Sequence, residues 1–160
     1  MEKHEMIATV KRSTSTIDQV RALLNDGRSQ EALDLIHHLG QSTPEIENAR
    51  GVCLLRLGRV DEALSVLRNL AFQGHICIPS DTPVVFRTNF ATALLMAGHT
   101  NGAIAAIDHL SDKQHPAVGR IHTAIRRWKA GLSWPERFFS YIGRPAGKAV
   151  VVDWAAGDLS

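Results

Sequence analysis

An all-α fold of stacked helix pairs is what this sequence predicts, on three observations. The first is a phrase written three times, ALLNDGRSQEALDLI, LLRLGRVDEALSVL and ALLMAGHTNGAIAAI. Aligned on Gly27, Gly58 and Gly98, the copies bring Leu23, Leu54 and Leu94 into register upstream, each followed by a second leucine. Downstream they superpose Ala32, Ala63 and Ala103, then Leu33, Leu64 and Ile104, then Ile36, Leu67 and Ile107. The second observation is spacing. Apolar residues recur at three and four on both sides of each glycine, as in Leu64, Leu67 and Leu70 or Ile104, Ile107 and Leu110, which gives every helix one apolar stripe. The third is punctuation, since Thr43-Pro44 and Thr82-Pro83 each offer an N-cap hydroxyl followed by a proline at the first helical position.

Taken in order, residues 1–12 read as a flexible N-terminus and residues 13–111 as three helix–turn–helix units, about 13–43, 44–74 and 83–111. In each unit the glycine ends the first helix by accepting a left-handed backbone, and the chain turns back at once. The alanine five residues later offers only a methyl group, so the second helix can lie close to the first; a bulky side chain at Ala63 would overpack that crossing by about 1–3 kcal/mol. A pair of this size cannot bury its own stripe. Each copy therefore supplies the surface that covers its neighbour, which explains the repetition.

These residues resemble the tetratricopeptide repeat, a family of helix–turn–helix units with a small residue in the first helix, glycine at the turn and alanine in the second helix. In NARGVCLLRLGRVDEALSVLRNL the resemblance rests on Gly51, Leu54, Gly58, Ala63, Leu67 and Leu70, and in NFATALLMAGHTNGAIAAIDHL on Phe90, Ala91, Leu94, Gly98, Ala103, Ile107 and Leu110. The first copy departs from it, with Val20 where a small residue is usual and Thr16 where an aromatic is common. The glycines lie 31 and 40 residues apart, against a family period of about 34. The excess falls in FQGHICIPSDTP, a long loop whose Ile76 and Ile78 are expected to fold back over the scaffold or, as the alternative, to touch a partner. The resemblance implies a superhelix with the first helices lining a concave groove.

Composition bounds the rest. The chain is 44% hydrophobic and 21% charged with a net charge of +2, a balance that fits an ordinary folded domain and names no partner. The N-terminus lacks the apolar core of a secretory signal, so a cytoplasmic site is expected, and FATALLMAG and KAVVVDWAA are too short to span a bilayer. Cys53 and Cys77 form no CxxC pair; Cys53 falls in an apolar helical pattern and reads as core, Cys77 as loop.

Residues 112–160 read as a capping segment. Six of the nine aromatic residues lie here: Trp128, Trp134, Phe138, Phe139, Tyr141 and Trp154. Pro116, Val118, Ile121, Ile125 and Trp128 mark a helix that covers the last unit, and Ser133 with Glu136 a capping box for a shorter one. The closing GKAVVVDWAAGDLS is expected to be extended, with Val150, Val152 and Trp154 on one side. Arg120, Arg126, Arg127, Lys129, Arg137, Arg144 and Lys148 concentrate positive charge, which raises an alternative function, binding of nucleic acid or an anionic membrane surface. A small net charge argues against a dedicated nucleic-acid binder.

No phosphate loop, zinc-protease motif or nucleophile elbow occurs, His37 and His38 diverge on a helix, and Glu31, Asp61 and Glu62 sit where they favour a helix dipole. The expectation is a chain that is not an enzyme and has no cofactor and no metal. Carried over by position from the family, the peptide-binding residues are Ile17, Arg21 and Leu24 in the first unit, Asn48, Val52, Leu55 and Arg56 in the second, and Thr88, Thr92, Leu95 and Met96 in the third. Asn89 holds one polar position, but the basic residues with which some members clamp a peptide carboxylate are not reproduced. The function expected is that of an adaptor or small chaperone, such as those of bacterial secretion systems, holding a peptide or helix of another protein. The closing segment is expected to cap the helices, to fill the groove or to bind a ligand, and homo-oligomerisation is left open.

Overall fold

A computed structural model describes residues 16–40, 42–108, 110, 114–136 and 150–159. Among them every regular element is helical and no strand is present. The elements are α1, described over residues 16–25, α2 (Ser29–His38), α3 (Pro44–Arg56), α4 (Val60–Phe72), α5 (Val84–Met96), α6 (Thr100–Asp108) and α7 (Pro116–Ala130), followed by a helical turn at residues 134–136. The expected flexible N-terminus, and Arg137, Phe138, Phe139, Tyr141, Arg144 and Lys148, lie outside the described residues.

The three copies of the phrase build three copies of one turn. Gly27, Gly58 and Gly98 have φ of 75°, 73° and 80°, and a Cβ at any of them would meet nothing within 4 Å. Glycine is therefore required for its backbone, not for room. Each glycine N–H donates to the second leucine of the pair (Leu24, Leu55, Leu95) and the next residue's N–H to the first (Leu23, Leu54, Leu94), at 2.7–3.2 Å. This is the Schellman arrangement, in which two orphan carbonyls at the helix end are satisfied. The residue after the glycine then opens the next helix, its carbonyl accepting from Ala32, Ala63 or Ala103. All three alanines are fully buried.

Between the pairs, α2 packs on α3 and α4 on α5, while α3 also touches α5 and α5 touches α7. The helix that opens each pair thus lies beside its counterpart, and α7 extends that row. Gly51 of α3 is the closest crossing: a Cβ there would stand 2.5 Å from Cδ2 and 2.6 Å from Cγ of Leu67, itself fully buried on α4. The core is continuous from Val20 and Leu24 through Leu33, Leu55, Leu67, Leu95 and Ile107 to Ile121 and Val150.

Helix starts follow the sequence in part. Thr43 caps α3, accepting from the Ile46 N–H at 3.4 Å with Pro44 behind it. The expected copy at α5 does not form. Pro83 is itself the N-cap, and the Thr82 hydroxyl donates instead to the Ala71 carbonyl of α4 at 3.4 Å. The buried Thr82 ties the long loop to the preceding helix, a tertiary use that overrides the local capping signal. His115 caps α7 through a ring nitrogen, and Ser133 and Glu136 pair as expected of a capping box, with the Ser133 N–H and hydroxyl both on the Glu136 carboxylate at 2.7 Å.

The long loop corrects a second expectation. Ile78 packs against the core, but Ile76 is 97% exposed. The added residues bulge outward, and Phe72 still reaches Phe90 edge-on at 5.8 Å, so α4 and α5 stay in contact across the insertion.

Gly51→Val is expected to destabilise the chain by about 1–3 kcal/mol through overpacking, read as a lower midpoint in thermal unfolding by circular dichroism. In the Leu67→Ala background the same substitution should cost less, because the colliding atoms are gone.

Candidate functional site

Asn48, Val52 and Arg56 are spaced by four, which lines them along one face of α3. Asn89 of α5 and Arg120 of α7 continue that face across the row of opening helices. Residues 150–159 lie on it as an irregular strap, bent at Trp154 and Ala156. The alternation expected from VVVDW holds: Val150 is 5% exposed, Val151 77%, and Val152 and Trp154 pack on the core while Val151, Asp153 and Ala155 look outward.

The contacts that fix the strap are mostly to its backbone. Arg56 donates from Nε to the Ala156 carbonyl at 3.1 Å and from Nη2 to the Gly157 carbonyl at 3.3 Å, while its Nη1 reaches the Leu24 carbonyl at the end of α1 at 2.9 Å. Asn89 grips one residue at both ends, its Nδ2 donating to the Asp158 carbonyl at 2.7 Å and its Oδ1 accepting from the Asp158 N–H at 2.8 Å. Asn48 adds a bond from Nδ2 to the same carbonyl at 3.2 Å and accepts from Asn89 at 2.8 Å. Both asparagines are at most 2% exposed. A buried amide left without partners would cost about 1–3 kcal/mol, and here the Asp158 backbone supplies them.

Four positions of the strap are read by the helices. Gly157, at φ 82°, lies so close to α3 that a Cβ would stand 2.7 Å from Cγ2 and 3.0 Å from Cγ1 of the fully buried Val52. The Asp158 carboxylate pairs with the Arg120 guanidinium, and Asp153 pairs with Arg127 of α7 at 2.7 Å. Leu159 packs on the core.

Of the residues carried over by position, Asn48, Val52 and Arg56 meet the strap, and Leu24 does so indirectly through Arg56. Ile17 and Met96 are partly buried against the core, and Arg21 pairs with Asp18 at 2.9 Å. Leu55 and Leu95 are core side chains at 1% and 0% exposure, where a substitution reads stability before binding. Thr88 and Thr92 are buried with their hydroxyls turned onto their own helix, to the carbonyls of Val85 and Thr88. Arg120 was not found by position, and Asn89 was noted only as one polar position of a carboxylate clamp. Aligned on the turn glycines, Asn48 matches Thr88 and not Asn89, so transfer by register picks the wrong neighbour. Arg120 stood among the basic residues, with Asp158 as its unread counterpart.

Cys53 is fully buried, and desolvation pushes its thiol up to about 12 despite the nearby Arg56; Cys77 is exposed. Among the described residues no group of three His, Cys, Asp or Glu is placed to hold a metal, and no helix is long and apolar enough to cross a membrane. Comparison of the chain with protein-family models, curated proteins and solved structures finds no match in any of the three.

Arg56→Ala removes two bonds to the strap and one to α1. With charge-assisted hydrogen bonds worth about 1.5–3 kcal/mol, it should speed amide exchange at Asp158, whose N–H is bonded to Asn89, by at least tenfold while the amides of α4 and α6 keep their protection. The thiols give a second check. At pH 8 a thiol reagent should titrate Cys77 alone in the native chain and both cysteines after denaturation, since Cys53 stays protonated until about pH 12. The sign for stability follows. The unfolded thiol ionises from about pH 9, so the folded state loses stability as pH rises from there towards 12.

Proposed function

We propose that this chain is a non-enzymatic interaction module of tetratricopeptide type, an adaptor or small chaperone, whose face on α3, α5 and α7 is a groove for an extended peptide of another protein. Residues 150–159 hold that groove in cis. The observation that carries the reading is the grip of Asn89 on both the N–H and the carbonyl of Asp158. An α-helix uses those groups internally, so the occupant that suits the buried amides is an extended strand. The mode is recognition through main-chain bonds, with side-chain contacts supplying selection.

The cis strap sets a threshold for any partner. A tethered segment has an effective concentration on the order of 1 mM. If its own dissociation constant were about 10 μM, a competitor's apparent affinity would fall by about a hundredfold. The basic surface suggested by α7 fits less well, because Arg120 and Arg127 face Asp158 and Asp153.

The test uses the full-length chain with Asp158→Lys, which sets a cation against Arg120 and weakens the strap. A fluorescent peptide copying residues 149–160 should bind this variant, followed by anisotropy, and bind the wild-type chain at least tenfold more weakly. Equal affinity for both, or no binding to the variant with its helical circular dichroism intact, removes the groove from consideration.

A further inference from the structure

The strap is built less like a generic plug than like a template. Three of its features are read by side chains that the fold holds rigidly, and each implies something about what else this face accepts. The first is an exclusion. At the position of Gly157 the face leaves no room for a Cβ, because the wall is Val52, a β-branched residue in mid-helix with one strongly preferred rotamer, fully buried and unable to swing aside. The backbone there, at φ 82°, is one that L side chains rarely adopt. Steric and conformational demands coincide at one residue.

The second feature is an attraction one residue on. Asn89 and Asn48 clamp the backbone of Asp158 and fix its direction, which delivers the carboxylate to Arg120 on the neighbouring helix. A clamp on the main chain is indifferent to sequence, but it sets the register in which Arg120 reads a charge. The third is the pair of flanking residues, Ala156 at 8% exposure with its carbonyl on Arg56, and Leu159 against the core.

We infer that the face selects partner segments carrying a small residue, glycine, an acidic residue and an aliphatic residue in succession, and that AAGDL of the strap is an internal copy of that ligand. The inference rests on the groove reading above and adds sequence selectivity to it. Glycine is the discriminating position and the acidic residue the second. Specificity here combines a repulsive element, the Val52 wall, with an attractive one, the Arg120 charge.

The experiment uses the full-length Asp158→Lys chain and a panel of labelled peptides copying residues 149–160. The parent peptide is expected to bind, the peptide carrying Gly157→Ala to bind at least tenfold more weakly, and the peptide carrying Asp158→Asn about two- to fivefold more weakly. In a full-length chain carrying Arg120→Glu, the preference should invert in favour of the peptide with Asp158→Lys. If Asp158→Lys impairs folding by circular dichroism, Gly157→Val, which closes the strap's approach to Val52, replaces it. Equal affinity across the panel overturns the selectivity and leaves the groove standing; no binding by any peptide to either folded variant overturns both. A wild-type dimer that the parent peptide dissociates puts the strap in the face of a second copy and overturns a partner protein as the occupant.

Discussion

Two buried amides, Asn48 and Asn89, meet across the seam between α3 and α5, and the chemistry of this face follows from satisfying them. An amide side chain carries two donors and an oxygen with two acceptor sites. The pair spends one bond on itself, at 2.8 Å, and directs the rest outward to the Asp158 backbone. With the strap in place both are buried and bonded; without it they would face water, which can take over the lost bonds. Replacing them with leucine would suit a purely structural seam better, because apolar contacts there need no partner. In the proposed role, the polar pair turns a packing surface into one that recognises a peptide strand.

The seam exists because the helix pairs place α3 beside α5 with α4 behind them. That arrangement depends on two local devices. Identical Schellman turns reverse the chain at Gly27, Gly58 and Gly98, and the missing side chain at Gly51 lets Leu67 of α4 enter the surface of α3. The eleven residues between α4 and α5 are tolerated because Thr82 pins one end of the loop to Ala71, Phe72 stacks edge-on to Phe90, and the surplus is pushed out as the exposed Ile76. Loop length adds little entropic cost once both ends are fixed. Asn48 and Asn89 therefore stay opposed although the two units are unequally spaced.

Local chemistry was readable from the residues, and long-range pairing was not. The glycine turns, the buried alanines, the cap at Thr43 and the alternation of Val150, Val152 and Trp154 all depend on neighbours within a few positions, which periodicity and turn chemistry report directly. Thr82 misled because its strongest partner, Ala71, lies in another helix and outcompeted the local capping role. Asn89 was read only as one polar position of a carboxylate clamp, because transfer by register assumes that equivalent positions do equivalent work and pointed to its neighbour Thr88, which turns its hydroxyl onto Val85. The strap was the hardest element. It joins residues about a hundred positions apart, as in Asn48 to Asp158 and Arg56 to Ala156, and no local pattern encodes a separation of that size.

The two kinds of contact on the strap differ in what they can control. Arg120–Asp158 and Arg127–Asp153 leave between about a third and two thirds of each side chain in solvent, and ion pairs of that exposure contribute about 0–1 kcal/mol and weaken with salt. The amide and Arg56 bonds sit against the core, where an unmade bond is costly. Charge is therefore a poor source of holding strength here, and the amide and Arg56 bonds carry the attachment of the strap. In the proposed role, a partner strand would compete with residues 156–158 for the same backbone bonds to Asn48, Asn89 and Arg56, with charge ranking one segment against another. Water would meet the two amides whenever the strap lifts off, so exchange needs no costly empty state.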